Sequence, residues 1–303
     1  MDVPSEPISE TTAEMQALSA KYAQLLKESG FVPPGHFYSP VPSLAEIRQD
    51  AGRIFGPFKK EVPGVDLREK AQLSLLRKFI PYYKEQPFGD NPSENTRYHF
   101  FNPAYGHSDG LMLYCMLRYL RPKRLIEIGS GYSSCVTLDT DERFLGGKLD
   151  ITFVEPYPEL LLSLMREGDR EKTKILGQRL QDIDPAIFDV LEANDILFID
   201  STHVSKIDSD VNHIFFNILP RLKPGVRVHL HDIFFPFEYP SDWVFEGRAW
   251  SEIYMLRAFL QFNSAFQVVL MNTFMEHYHE KFFQKNMPLC LKNPGGSIWL
   301  ERV

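Results

Sequence analysis

Cysteines and long apolar runs are scarce in this chain. Its 303 residues include three cysteines, Cys115, Cys135 and Cys290, which are widely separated and form no CxxC pair. A sparse and odd number argues against a disulfide framework and a cysteine zinc site, and it fits a reducing compartment. No stretch approaches the ~18 uninterrupted apolar residues of a membrane helix. Residues 1–10 also lack the basic and apolar regions of a signal peptide. We therefore expect a cytoplasmic protein with no membrane partner.

Positive charge is in short supply as well. Lys and Arg total 33 against 40 Asp and Glu, which gives a net charge of -7. Without a local basic stripe, such a chain repels a phosphate backbone, so we expect no nucleic-acid partner. Aromatic residues are abundant, with 24 Phe, 13 Tyr and 3 Trp. They indicate a Phe-rich core, a subunit interface or an aromatic-walled pocket, and a homodimer is one partner that this composition admits.

The apolar pattern changes along the chain. The first third is helical and irregular, with several prolines between residues 31 and 63. Later, seven short apolar runs alternate with helical patterns; the runs cover residues 124–129, 151–155, 173–177, 195–200, 226–232, 266–273 and 297–302. Nearly continuous apolar runs are typical of strands buried on both faces of a parallel sheet. We predict a helical N-terminal cap over residues 1–107 and a doubly wound, Rossmann-like α/β core over residues 108–303.

The last strand of that sheet is predicted to be antiparallel. The two final apolar runs are joined by an irregular stretch that ends in Asn-Pro-Gly-Gly at residues 293–296, and this turn chemistry suits a reversal of the chain. The helical patterns between the strands cover residues 133–145, 159–167, 205–222 and 250–261. The predicted fold is a seven-stranded, mostly parallel sheet with a reversed last strand.

The strongest local signal is a glycine turn after the first strand. Gly129 and Gly131 end the apolar run, and a helical pattern begins directly after them. Glycines here let the backbone approach a ligand, and the helix start offers unpaired N–H groups. The dinucleotide fingerprint wants a third glycine where this chain has Ser134, which disfavours a pyrophosphate cofactor.

Two acidic residues accompany this turn. Glu127 lies two residues before the first glycine, and Glu155 ends the next strand. A carboxylate at that second strand end can accept both hydroxyls of a ribose, because sequential parallel strands place it beside the glycine turn. The alternatives are a solvated strand end for Glu127 and a helix cap for Glu155.

The chain resembles the class I S-adenosylmethionine-dependent methyltransferases from about residue 97 to residue 303. The motifs that carry the resemblance are Glu127-x-Gly129-x-Gly131, Glu155 after strand two, Gln181-Asp182 after strand three, the fourth strand at residues 195–200 and Leu222-Lys-Pro-Gly225 before strand five. Within that superfamily, the segments 198–203 and 228–232 look like a bacterial small-molecule group. That group is related to the macrocin-type and other antibiotic-tailoring O-methyltransferases.

The resemblance implies a role for each matching residue. Gly129 and Gly131 would line the methionine moiety and the ribose, with Glu127 towards the amino group. Glu155 would bind the ribose hydroxyls, and Asp182 the adenine amino group. The remaining residues implied as cofactor contacts are Ser130, Tyr132, Ser133, Ser134, Pro156 and Asp200, the last of which would lie under the methionine end.

Methyl transfer to an oxygen requires an aligned acceptor that loses its proton. His203 lies three residues past the fourth strand, and His231 and Asp232 end the fifth. These loops converge at one sheet edge, and histidine titrates near neutrality, so either ring is a candidate base. We favour His203 slightly, because His231 alternates with His229 along the strand. A histidine that merely bonds to a neighbouring loop is the alternative for each.

A divalent cation at the same strand ends is the second cofactor to consider. Asp200 and Asp232 offer the carboxylate oxygens that hard cations prefer. Metal-dependent relatives usually show an acidic pair after strand five, whereas this chain has His231 and Asp232. A further cluster of Glu276, His277 and His279 is predicted to lie in a solvated turn.

The function favoured by the sequence is methyl transfer from S-adenosylmethionine to a small molecule or peptide, with a hydroxyl or carboxylate oxygen as the acceptor. The first alternative is an NAD-dependent oxidoreductase on the same fold, which the missing third glycine opposes. The second is a non-catalytic cofactor-binding module, and the joint presence of the site residues argues against it.

Overall fold

The computed structural model describes residues 10–28 and 30–303, so predictions for residues 1–9 and 29 lie outside the described part. The chain divides into two compact units. One unit comprises the described residues up to Pro57 together with Ser241–Ala249, and the other comprises Phe58–Pro240 and Trp250–Val303. The second unit contains the whole sheet. The predicted boundary at residue 107 stays a prediction; in this division, residues 58–107 belong with the sheet.

The described chain alternates helices with seven strands. The helices are α1 Glu10–Glu28, α2 Leu44–Ile54, α3 Glu69–Lys84, α4 His107–Leu120, α5 Tyr132–Thr140, α6 Glu159–Leu164, α7 Asp169–Lys172, α8 Asp210–His213, α9 Ser241–Phe245, α10 Glu252–Leu260, α11 Asn272–Tyr278 and α12 Glu280–Asn286. The strands are β1 Arg124–Ile128, β2 Asp150–Val154, β3 Thr173–Leu176, β4 Ile196–Ile199, β5 Arg227–His231, β6 Phe266–Met271 and β7 Ser297–Arg302.

The strands form one sheet in the order β3-β2-β1-β4-β5-β7-β6. Strands β1 to β5 pair in parallel, whereas β7 pairs antiparallel with both β5 and β6. The prediction of a seven-stranded, mostly parallel sheet with a reversed last strand is confirmed. The strand order reverses between β1 and β4, and ligands of open α/β sheets bind beyond the carboxyl ends of the strands at such a point.

The central strands are buried on both faces. All four residues of β4 are buried, as are all but the first residue of β1 and of β5. Helices cover both sides of such a sheet, so side chains of both orientations leave water, and the sequence shows a continuous apolar run instead of an alternation. The buried polar residues of these strands, Glu127, His229 and His231, therefore need a specific explanation.

The predicted helix over residues 205–222 is shorter in the structure. Regular helix begins at Asp210, and π- and 3₁₀-helical turns then continue to Arg221. Ser209 sets this start, because its hydroxyl accepts a hydrogen bond from the backbone N–H of Asn212. Upstream, His203 and Asp208 have positive φ angles of 60° and 58°, which a right-handed helix does not allow. The fourth strand is therefore followed by a loop.

The prediction of a solvated turn at residues 276–279 is wrong. Glu276 lies in α11 and is 5% exposed, and it accepts a hydrogen bond from the hydroxyl of Ser108. The apolar side chains of Phe274 and Met275 bury this helix. Burial raises the pKa of Glu276 well above its ordinary value, so its carboxyl group is neutral.

Aromatic side chains serve the core and also part of the surface. Trp299, Phe198 and Phe153 are fully buried, whereas Phe31 is 90% and Phe37 81% exposed. Exposed rings are compatible with a subunit interface, and the homodimer stays a prediction. None of the helices in the described residues combines the length and the apolar content needed to cross a bilayer.

Candidate functional site

The candidate site lies where β1, β2, β4 and β5 end. Ile128 of β1 is in register with Val154 of β2 and with Ile199 of β4, so these strands end side by side. The residues that follow them are Gly129, Glu155, Asp200 and, after β5, Asp232. The parallel register thus brings residues from four separate segments to one edge, as the sequence predicted.

Gly129 makes a close turn at this edge. Its φ of +76° is left-handed, and its N–H donates to the carbonyl of Val154 at 3.0 Å. A Cβ atom at this position would overlap the carbonyl oxygen of Asp200. Only glycine meets both requirements without strain, so Gly129 allows the ends of β1 and β4 to pack closely together.

Glu127 is a buried acid beneath this turn. Its Oε1 accepts hydrogen bonds from the hydroxyls of Ser133 (2.6 Å) and Ser134 (2.9 Å), both at the start of α5. Its Oε2 is buried without a hydrogen-bond partner in the part of the chain that the structure describes. Burial raises the pKa of Glu127 to about 8, although the two hydroxyls act in the opposite direction. The free oxygen suits a cationic group such as a ligand ammonium.

We expect Glu127→Gln to stabilise the ligand-free protein increasingly as the pH rises from 4.5 to about 8. Because the folded-state pKa is raised, the contribution of Glu127 to stability is full below pH 4.5. It is lost between pH 4.5 and about 8, where the carboxyl group is ionised in the unfolded chain but still protonated in the folded one. The difference in free energy of unfolding between variant and wild type should therefore grow with pH, by up to about 1.4 kcal/mol per pH unit.

Urea unfolding over this pH range measures that difference. Glu142→Gln is the matched control, because its side chain is 55% exposed and its hydrogen bond with Arg97 lowers the pKa. Its titration lies below the tested range, so its effect should not change with pH. A pH-independent effect of Glu127→Gln would contradict the buried, unpaired oxygen.

Glu155 borders a cavity of about 390 Å³ at the strand ends. The cavity lining includes Gly129, Glu155, Pro156, Tyr157, Asp200 and Thr202. The Oε2 of Glu155 accepts from the N–H of Ser130 at 3.0 Å, and Oε1 accepts from the N–H of Tyr157 at 2.8 Å. The carboxylate is thus held in place by backbone donors, and each oxygen keeps a lone pair for a further donor.

The other predicted cofactor residues differ in position. Ser133 and Ser134 are buried and donate to Glu127, and the hydroxyl of Ser134 also accepts from the N–H of Gly131 at 3.1 Å. Asp182 is about half exposed and is paired with Arg179 through two hydrogen bonds of 2.9 Å. Arg179, not Asp182, belongs to the cavity lining, so contact between Asp182 and an adenine stays a prediction.

His203 lies on the loop after β4 and is buried. Its Nδ1–H donates to Oε2 of Glu252 at 2.8 Å, which turns Nε2 towards Asp200 (3.3 Å) and Asp232 (3.4 Å). Burial disfavours the charged ring, but the carboxylates of Asp200 and Glu252 raise the pKa of His203 to about 10. This raised pKa favours the protonated ring at neutral pH.

His231 faces the same carboxylates from β5. Its Nδ1 lies 3.3 Å from Oδ1 of Asp200, and its Nε2 lies 3.6 Å from Oδ2 of Asp109 and 3.7 Å from Asp232. Against the effect of burial, Asp232 and Asp200 raise the pKa of His231 well above its ordinary value. His229 is the opposite case, because burial lowers its pKa and keeps it neutral between Phe198 and Trp299.

The two histidine rings also change the pKa values of the carboxylates in the site. Burial alone would raise the pKa of Asp200, but His231 and His203 lower it, so Asp200 is ionised. Burial raises the pKa of Asp232, and its φ of 56° places it, like His203, in left-handed backbone. Three ligand atoms lie within 4.8 Å of one another, one each from Asp200, His231 and Asp232. A metal ion can bridge atoms at this spacing.

Two contacts of the site histidines, with Glu252 and with Asp109, escaped the sequence reasoning. Glu252 was not singled out, because it is one acidic residue in the first turn of a predicted helix. The sequence indicates Asp109 only as a candidate contact of the cofactor or substrate, and not as a partner of His231. Neither position shows a motif; their proximity to His203 and His231 arises only from tertiary packing. The predicted residues His203, His231, Asp232 and Asp200, in contrast, do come together.

The geometry can be compared with known proteins at this point. Residues 126–233 match a family model described as "Methyltransferase domain", and this span runs from β1 to just beyond β5. The match contains the glycine turn, Glu155, Asp200 and the β5 end. Fold and family match thus agree on a methyltransferase domain over residues 126–233.

A curated relative shows the family to which the chain belongs. A protein of Archaeoglobus fulgidus, described as "Uncharacterized protein", is 34% identical over 167 residues, which cover 54% of this chain and 74% of that protein. The chain belongs to the family of this archaeal protein. The relative's description assigns no acceptor.

Several solved structures are similar in arrangement. PaMTH1, a methyltransferase of Podospora anserina bound to SAH, is 14% identical, with 88% of this chain and 99% of that chain covered and a TM-score of 0.44. The O-methyltransferase TomG of Streptomyces achromogenes, involved in tomaymycin synthesis and bound to SAM, is 18% identical, with 74% and 95% covered and a TM-score of 0.46. At these identities and TM-scores the likeness extends to no particular residue or acceptor.

Proposed function

We propose that this methyltransferase transfers the methyl group of S-adenosylmethionine to an oxygen of a small-molecule or peptide acceptor, a hydroxyl or a carboxylate. The observation that carries the proposal is the pairing of His203 with Glu252 beside the cavity edge formed by Gly129, Glu155 and Asp200. A base held in a fixed orientation next to a cofactor cavity is what an acceptor hydroxyl requires.

The residues at the cavity fit the cofactor. Gly129 is part of the cavity lining, where the missing side chain leaves its backbone open to the cofactor. The unpaired Oε2 of buried Glu127 fits the ammonium of the methionine moiety, and the lone pairs of Glu155 fit two ribose hydroxyls. When bound, S-adenosylmethionine supplies an electrophilic methyl carbon on a positively charged sulfur.

His203 is the proposed base, and its orientation comes from Glu252. Because Nδ1–H donates to Glu252, Nε2 is the nitrogen that faces Asp200 and Asp232 and can take the acceptor proton. Glu252 then stabilises the imidazolium, and Asp232 at 3.4 Å does so from the other side. Additional positive charge in the site favours the neutral ring that this role needs. His231 is the second candidate for the base.

A divalent cation fits the same edge. Asp200 and Asp232 offer carboxylate oxygens and His231 a ring nitrogen, all within reach of one ion. Such an ion would lower the pKa of an acceptor hydroxyl bound to it. The chain's own residues would orient that hydroxyl towards Nε2 of His203. The acceptor is proposed to be a small molecule or a peptide, and the resemblance to the macrocin-type group favours a small molecule.

Calorimetric titration with S-adenosylhomocysteine tests the cofactor, with NAD titrated in parallel. Saturable binding of S-adenosylhomocysteine alone supports the proposal, and transfer of a radiolabelled methyl group to a panel of phenols, alcohols and carboxylic acids then tests the acceptor oxygen. Binding of NAD instead would overturn the proposal together with its site assignments.

We expect Glu155→Ala to weaken S-adenosylhomocysteine binding by roughly 1–3 kcal/mol, since the ribose hydroxyls would lose their carboxylate acceptor. The same titration measures this loss. Glu159→Ala is the matched control, because Glu159 is an exposed acid four residues further along. Equal affinities for the two variants would exclude Glu155 from the ribose site.

A further inference from the structure

Tyr105 carries a buried hydroxyl group to which the site described above gives no role. The residue lies in the segment before α4 and is 2% exposed, and its hydroxyl has no hydrogen-bond partner among the residues that the structure describes. Burial raises the pKa of this phenol well above its ordinary value, and Asp109 and Glu127 act in the same direction, so the hydroxyl keeps its proton. A buried O–H donor without an acceptor costs free energy and needs an explanation.

The backbone of Tyr105 is held by its neighbours in the same segment. Its N–H donates to Oδ1 of Asn102 at 2.7 Å, and its carbonyl accepts from Nδ2 of Asn102 at 2.7 Å and from the hydroxyl of Tyr98 at 2.8 Å. Tyr98 is itself buried, and its N–H donates to Asp139 of α5. The Tyr105 ring is thus anchored through its backbone, which leaves its hydroxyl available to a ligand.

Tyr105 packs on the sheet face that carries Glu127. Glu127 of β1 is in register with Phe198 of β4, so the two side chains lie on the same face of the sheet. The centroid of the Tyr105 ring lies 6.0 Å from that of Phe198 and 5.1 Å from that of His231, which ends β5. Tyr105 and Glu127 therefore share one face of the sheet near the strand ends.

Two unpaired atoms of opposite kind meet on this face. The hydroxyl of Tyr105 is a donor, and Oε2 of Glu127 is an acceptor; both are buried without a partner in the described chain. A carboxylate suits the donor and an ammonium suits the acceptor, and both hydrogen bonds are strengthened where water is excluded. An α-amino acid end carries these two groups on one carbon atom.

We propose that the Tyr105 hydroxyl donates a hydrogen bond to the carboxylate of the methionine moiety of S-adenosylmethionine, next to the ammonium assigned to Glu127. The two residues would then select a cofactor by its complete amino acid end and not by the nucleoside alone. The inference rests on the proposed function, because it concerns the same cofactor. It assigns the carboxylate to a residue outside the glycine turn and outside the span 126–233 that matches the family model.

A cofactor analogue without the carboxylate tests this assignment. Calorimetric titration compares S-adenosylhomocysteine with its decarboxylated form, S-adenosyl-3-thiopropylamine, which keeps the ammonium. We expect Tyr105→Phe to weaken binding of S-adenosylhomocysteine roughly 10–100-fold, since a hydrogen bond to a charged group is lost. Binding of the decarboxylated analogue should be nearly unchanged, because that ligand has no carboxylate to lose.

Tyr114→Phe is the matched control. Tyr114 is also a fully buried tyrosine, but its hydroxyl is paired with Arg118 at 2.6 Å within α4. This variant should bind both ligands as the wild type does. Tyr105→Phe removes a hydroxyl that has no partner in the ligand-free chain, so its midpoint of thermal unfolding should not fall. A stable variant with weaker binding separates a ligand contact from a role in folding.

The reciprocal variant is Glu127→Gln. It should weaken binding of the decarboxylated analogue, which retains the ammonium, whereas Tyr105→Phe should not. Equal losses for both ligands in Tyr105→Phe, or no loss for either, would overturn the inference and give the hydroxyl a role in the fold. Failure of the wild type to bind S-adenosylhomocysteine rejects the proposed function, whereas wild-type binding with unchanged discrimination in Tyr105→Phe rejects this inference alone.

Discussion

Replacing Gly129 by alanine is expected to lower the free energy of unfolding by roughly 2–5 kcal/mol, more than at any left-handed glycine with open surroundings. Two costs add at this position. The φ of +76° is unfavourable for a residue with a Cβ atom, and that atom would overlap the carbonyl oxygen of Asp200. Neither backbone segment can move away, because Gly129 donates to Val154 and the N–H of Asp200 donates to Ile128 at 2.8 Å.

Gly146→Ala separates the two costs. Its φ is +82°, close to that of Gly129, but no atom lies within 4 Å of the added Cβ. This control should lose only the backbone contribution of about 1–2 kcal/mol. Urea unfolding measures both variants, and S-adenosylhomocysteine titration should show lost binding for Gly129→Ala alone. Equal destabilisation of the two variants would mean that the turn tolerates a side chain.

Replacing His203 is expected to slow methyl transfer by about 10²–10⁴-fold while cofactor binding is retained. The reason is that the acceptor proton would lose its proposed base, whereas the proposed cofactor contacts are at Gly129 and Glu155. His203→Asn is the preferred variant, because asparagine tolerates the left-handed backbone that His203 occupies. Single-turnover kinetics with labelled methyl groups measures the effect on kcat separately from KM.

Glu252→Gln tests whether Glu252 orients the ring of His203. It keeps the size of the side chain but removes the charge that holds Nδ1–H of His203. We expect a smaller loss in kcat than for His203→Asn and an altered pH profile, which a purely structural residue would not produce. A full-rate His203→Asn variant would assign the proton transfer to His231.

The fold could be predicted because its signals are local. Each strand of the sheet is a short apolar run, and the reversed last strand follows a Pro-Gly-Gly turn that is visible in the sequence. The glycine turn with Glu127 and Glu155 could be found for the same reason, since parallel strands carry consecutive segments to one edge. These candidate site residues lie at strand ends, and strand ends can be recognised from the sequence.

The remaining parts of the site could not be predicted because they depend on packing between distant segments. Glu252 reaches His203 across 49 positions of the chain, and no spacing rule connects the two. Asp109 meets His231 only because β7 returns the chain past the start of α4, where Gly296 donates to it. The burial that gives Glu276 its neutral form was likewise hidden in a segment that looks polar in the sequence.

The left-handed backbone at His203 and Asp232 has a consequence for the evolution of this protein. At 60° and 56°, both φ values lie where residues other than glycine are held at a cost of about 1–2 kcal/mol. Substitution by glycine at both positions, in evolution or by design, would therefore relieve the backbone cost but remove the imidazole and the carboxylate from the strand edge. The chain thus carries these two side chains at a cost in stability, which agrees with the role proposed for this edge.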